Sequence, residues 1–179
     1  MIAQSGIVGL GGATFPPKIK LSPPPGCKAE LLIINGAECE PYLTCDHALM
    51  LEHPDEIVLG TQLLCRAAGV ARAAIAIEDN KPDAIEAMTR AAVSYPDIEI
   101  VTLKTKYPQG GEKQLIEAVM HREVPTGGLP IATGAIVQNV ATAYAVYRAV
   151  YNGMPLIDRV ITVTGPSVKR PGNYRVAIG

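Results

Sequence analysis

The 179-residue sequence has no tryptophan and a single phenylalanine, Phe15, which falls inside a glycine-rich stretch. It lacks any excess of one charge: the formal net charge is -1, so a nucleic-acid partner is set aside. Long apolar runs are missing too. Stretches such as 135–140 and 73–77 fall far short of the roughly 20 residues needed to span a bilayer, and no signal-peptide layout precedes them, so the chain itself is expected to be soluble. Cys27, Cys39, Cys45 and Cys65 form no CxxC pair, which excludes a zinc ribbon or an iron–sulfur ligand set and leaves reduced thiols as the expectation. The segment Cys39-x5-Cys45-Asp46-His47 holds metal-ligating residue types, but a helix cap at Asp46 and partly buried thiols account for the same letters. There is no GxSxG elbow and no Walker-type loop, and His47, His53 and His121 have no recognisable nucleophile. A cofactor would have to carry any reaction.

What is present is an ordinary globular composition, 48% hydrophobic and 18% charged, long enough for one well-buried domain. The stretch 9–20, GLGGATFPPKIK, organises the rest: its glycines leave backbone N–H groups open to close approach by a planar or phosphorylated ligand. Glycine pairs also make plain turns, so the loop needs corroboration from elsewhere. Residues 1–7 are too short for an element, which suggests a chain that starts inside a larger protein. The run Ser22-Pro23-Pro24-Pro25-Gly26 reads as a connector, because proline lacks an N–H and fixes φ.

Beyond it, a continuous apolar run at 30–35 predicts a strand buried on both faces of a parallel sheet. It ends in Asn35-Gly36-Ala37-Glu38-Cys39-Glu40, two carboxylates and an amide at a strand end, where α/β sheets bind ligands. Asn-Gly turns and glutamates near a helix start explain the same residues without a ligand. Helices are expected over 46–52 and over 54–68, the latter with Pro54 in its first turn and Gly69 as its stop. A strand at 72–77, a helix at 82–92 and a strand at 98–103 follow. A second glycine loop, at 107–112, then leads into a helix to about 121, which would present oriented amides to an anion. Residues 124–134 are rich in Pro and Gly and read as irregular. A strand at 135–138 ends at Asn139, a cap for a helix reaching about 151. Residues 159–164 alternate as a strand, and the tail to 179 resembles the first hairpin of a separate β unit. The βαβα order predicts a three-layer α/β domain with a mostly parallel sheet over 1–158, with a second unit beginning at 159–179.

The motifs GIVGLGGATFP with Lys20, NGAECEPY, IEDNKP, YPQGGEKQL, REVPTGGLP and QNVAT together closely resemble the C subunit, the NADH-binding flavoprotein, of Rnf-type electron transport complexes. They are more distantly similar to the NADH-oxidising flavoprotein subunit of respiratory complex I. The resemblance implies a Rossmann-like FMN domain that takes a hydride from NADH and passes electrons singly to 4Fe-4S clusters, whose ligands would lie in the full-length protein and not in this chain. Carried over by position, the flavin site would comprise Gly9, Gly11, Gly12, Lys20, Asn35, Glu38, Gly110, Asn139 and Thr142. Phe15 and Glu40 would face NAD(H), and Glu112 would lie near both. Leu10, Ala37, Gly111 and Gln138 stand where the complex I relative has an arginine, an aspartate, a glutamate and an asparagine. The tail would open a β-grasp (soluble-ligand-binding) domain. The resemblance further implies other complex subunits and ferredoxin-type partners, at a cytoplasmic position peripheral to the inner face of the cell membrane. Two other readings stay open: a soluble reductase of the same superfamily serving cobalamin or an amino-acid reductase, and an assembly module without cofactor.

Overall fold

A computed structural model describes residues 1–179. Four parallel strands, β1 (Leu31–Gly36), β2 (Ala73–Glu78), β3 (Ile98–Leu103) and β4 (Ala135–Asn139), form one sheet in the order β3-β2-β1-β4. The expected strands at 30–35 and 72–77 each sit one residue further along. The helices are α1 (Pro17–Lys20), α2 (Cys45–Glu52), α3 (Pro54–Ala68), α4 (Pro82–Ala92), α5 (Glu112–Met120) and α6 (Val140–Tyr151).

Strand alternation divides the core between two faces. Leu32, Ile34, Ile75 and Ile77 point to one side, where Ile57, Leu64, Met88 and Val146 of α3, α4 and α6 cover them. Ile33, Ala76 and Val137 point to the other, where Leu115 and Ile116 of α5 meet them. The domain is therefore the three-layer α/β arrangement its sequence predicts. Each fully buried Leu or Ile stabilises it by about 1.5–3 kcal/mol, so α5, held by a much smaller cluster, is the more weakly anchored layer. α3 can approach α6 closely because it crosses at Gly60: a Cβ there would lie 2.0 Å from the Ala143 carbonyl oxygen. Gly69, at φ 67°, closes α3 with the left-handed turn that a residue lacking Cβ adopts freely.

The structure departs from the local expectations at three places. Residues 17–20 are not loop but one helical turn, with Pro17 at its start. Within the Pro- and Gly-rich stretch 124–134, Pro130–Thr133 makes a 3₁₀ turn. Asp46 does not cap α2, which begins at Cys45; the Glu38 carboxylate does so from outside, accepting the N–H groups of Asp46 (3.0 Å) and His47 (3.2 Å).

The tail forms an antiparallel hairpin of β5 (Asp158–Val163) and β6 (Gly172–Ala177), separate from the main sheet. Asp158 joins it to the domain by accepting from Arg148 (2.6 Å) on α6, and also accepts from Arg175 (2.8 Å) of β6. These guanidiniums, Arg148 first, hold the Asp158 carboxyl down at about 2. No helix is long and apolar enough to cross a membrane.

Candidate functional site

In the order β3-β2-β1-β4 the chain builds outward from β1 to β3 and then returns to the other side of β1. The switch between β1 and β4 opens a crevice at their carboxyl ends, the place where open α/β sheets bind ligands. A cleft of about 240 Å³ lies there. It gathers Gly9, Gly11, Phe15, Lys20, Asn35, Gly110, Glu112 and Asn139 from four separate segments of the chain.

Each wall has a local cause. Asn35, at the end of β1, turns its side chain to tie loops together: its Oδ1 accepts from the Ala37 N–H at 3.0 Å and its Nδ2 donates to the Gly110 carbonyl at 2.9 Å. Gly110 is pressed against the same turn, where a Cβ would come within 2.4 Å of the Ala37 carbonyl oxygen; its N–H donates to Cys39 Sγ at 3.3 Å. Opposite them, the Gly9 N–H donates to the Phe15 carbonyl at 3.0 Å, closing the glycine loop on itself. Phe15 lines the cleft and is 44% exposed as a residue.

Lys20 brings the cationic group. Its ammonium donates to the Val137 carbonyl at 3.1 Å and to the Glu112 carboxylate, which spans the cleft from the start of α5. Asn139 caps α6 as expected, its Oδ1 accepting from the Ala141 N–H at 2.8 Å. Gln138 is buried at the cleft wall, and its Nε2 has no partner in the protein.

Four expected site residues lie elsewhere. Gly12 is in the glycine loop at φ 117° with nothing within 4 Å of where a Cβ would stand, so its backbone conformation, not space, calls for glycine. Thr142 is buried behind the loop and accepts from the Leu10 N–H. Glu38 and Glu40 line a neighbouring cleft together with Lys81 and Tyr107. There Lys81 is itself buried, donating to Glu78 and Asn80, each at 3.1 Å.

The metal-ligand types of 39–47 scatter. Cys39 turns to Gly110, and His47 Nε2 pairs with Asp83 Oδ1 at 2.8 Å. Glu38, Cys45 and Asp46 do converge, their ligand-type atoms within 4.8 Å of one another, yet Glu38 is committed to the α2 N–H groups and Asp46 to Asn139. Burial, with Asp46 alongside, pushes the Cys45 thiol up to about 11. No local pattern marks Asp46 as part of this site; its contact with Asn139 spans 93 residues.

Open glycine amides, a cation, an unpartnered amide donor and an exposed aromatic ring together match a ligand with a polar rim, an anionic group and a flat face. A flavin mononucleotide has those features, and the residues present fit it.

Known proteins agree in kind. Residues 2–148 match the family described as the Nuo51 FMN-binding domain. The chain is 52% identical, over its whole length and 39% of the relative's, to the C subunit of the proton-translocating ferredoxin:NAD(+) oxidoreductase complex of Clostridium ljungdahlii. It is 48% identical, over its whole length and 40% of the relative's, to the Na(+)-translocating counterpart of Acetobacterium woodii. It thus spans about two fifths of the length of these curated relatives. Among solved structures, an NAD+-reducing nickel–iron hydrogenase in its H2-reduced state superposes with a TM-score of 0.77 at 25% identity, covering 98% of this chain and 36% of that one.

Proposed function

This chain belongs to the Nuo51 FMN-binding domain family, and from that premise we propose that its β1/β4 cleft holds FMN as the flavin site of an ion-translocating ferredoxin:NAD+ oxidoreductase complex. The observation that carries this reading is the cleft itself: Gly9 and Gly11 leave the backbone open on one wall, and Lys20 and Gln138, whose Nε2 has no partner in the protein, line the same cleft.

Bound there, FMN supplies the conversion between hydride transfer with NAD(H) and one-electron exchange with iron–sulfur clusters. The residues of this chain bind and orient. Glycine-loop amides and Lys20 meet the polar and anionic parts, Gln138 Nε2 offers a donor to the flavin rim, and Phe15 provides a stacking face toward the dinucleotide. Glu112 pairs with Lys20, whose ammonium also donates to Val137 and keeps a third N–H for a ligand anion. Glu40, in the adjoining cleft, is assigned to NAD(H). The clusters and the ferredoxin-type partner belong to the rest of such a complex, with this domain on the cytoplasmic side, peripheral to the membrane.

Titrating the protein into FMN and following flavin fluorescence tests the reading. Saturable quenching at micromolar protein is expected. Its absence would sink the flavin site and favour a cofactor-free assembly module.

A further inference from the structure

Behind the cleft, Asp46 has a place that flavin binding by itself does not explain. Its Oδ2 accepts from Asn139 Nδ2 at 2.6 Å. The other end of that amide, Oδ1, accepts the Ala141 N–H and caps α6. With a carboxylate at one end and a helix N–H at the other, the amide has only one way round. The glycine loop sits directly on it: a Cβ on Gly11 would lie 3.2 Å from the Asn139 Cβ.

We propose that Asp46 is a positioning residue of the cleft: its carboxylate sets the orientation of the Asn139 amide and, through it, the seat of the glycine loop against which the cofactor rests. This role rests on the flavin reading of the cleft. Asp46 acts as a clamp through Asn139, not as a group touching cofactor.

Charged or titratable groups face Asp46 from several elements, beside the uncharged Asn139 amide. Glu38 comes from the segment after β1, Lys81 from the segment after β2, Arg159 from β5, and Cys45 precedes it on α2. Burial, the largest influence, raises the Asp46 carboxyl to about 7; Glu38 adds to this, and the Asn139 hydrogen bond, Arg159 and Lys81 oppose it. Protonation exchanges a charge-assisted acceptor for a weaker neutral one. The clamp therefore loosens as pH falls through about 7.

Two measurements on the wild-type chain, Asp46→Asn and Asp46→Ala test it. In the first, the Asn139 side-chain NH2 resonances are followed by NMR across pH values around 7, without flavin. They should titrate together with the Asp46 carboxyl carbon in the wild type and stay still in Asp46→Asn; wild-type resonances that hold still while the Asp46 carboxyl carbon titrates overturn the clamp. In the second, FMN affinity is read by fluorescence quenching on either side of pH 7. Asp46→Ala should weaken FMN on the order of tenfold. Asp46→Asn, which keeps an acceptor oxygen, should restore most of that affinity and retain only the pH dependence of the flavin phosphate itself. Wild-type affinity in Asp46→Ala, or an unchanged pH profile in Asp46→Asn, overturns the coupling to the cleft. If the wild type binds no FMN, the flavin reading fails, and the Asn139 titration alone upholds or overturns the clamp.

Discussion

Thr142 Oγ1 accepts the backbone N–H of Leu10 at 3.0 Å, across 132 residues of sequence. The Leu10 carbonyl, on the other side of the same residue, accepts from an Arg159 guanidinium nitrogen at 3.1 Å. The glycine loop is thus held from α6 and from β5 at a position with a buried apolar side chain. Leu10 thereby serves as an anchor in the core.

Replacing Thr142 with Val keeps the side chain's shape and removes the acceptor. The stranded Leu10 N–H should cost about 1–3 kcal/mol of stability, seen as a lower midpoint in urea unfolding. FMN affinity should fall along with it, since the loop loses one of its two anchors.

Two glycine substitutions separate space from backbone conformation. Gly110→Ala places a Cβ against the Ala37 carbonyl and must push the loop before α5 away from Asn35. Gly12→Val finds open space for its Cβ but strains a φ of 117°. Both should weaken FMN binding in the fluorescence titration, and unchanged affinity in both would remove the glycine loops from the site.

Glu40 lies in the neighbouring cleft, away from Lys20. Glu40→Gln should therefore leave the FMN titration within about twofold of wild type, a difference of about 0.4 kcal/mol, while changing NADH affinity measured on the flavin-loaded protein. A large loss of FMN would reassign Glu40 to the flavin.

Asp158 and Asp46 should move stability with pH in opposite directions. The Asp158 carboxyl is held at about 2, below its unfolded value near 3.8, so its contribution is present above that value and is lost as pH falls through about 2. Asp158→Asn should cost on the order of 1 kcal/mol of stability at neutral pH after solvent screening, read as a lower unfolding midpoint, and approach wild type toward pH 2.

Asp46 is raised to about 7, so between its unfolded value near 3.8 and 7 the native state holds a proton that the unfolded chain has released. Its contribution is full below that window and is lost as pH rises through about 7. Asp46→Asn should therefore gain stability relative to wild type as pH rises through the window, with the gain level above it. Thermal melts at about pH 5 and about pH 8 would show the gain only if burial governs this carboxyl.

Sequence alone determined the elements and their order. Apolar runs such as Leu31–Gly36 can be buried on both faces only in a covered parallel sheet, and local chemistry at Pro54, Gly69 and Asn139 set helix ends within a few residues. It also marked the glycine loops and Lys20, because a missing Cβ and a cation are properties of single residues. Tertiary structure decided which of those loops share a cleft, since the crevice arises from the return of the chain to β4 beside β1. It also turned Asp46 from an expected helix cap into the partner of Asn139 and gave the capping to Glu38. The reason is physical: a carboxylate will accept from any well-placed donor, and which donors lie within 3 Å of it is set by the folding of distant segments together.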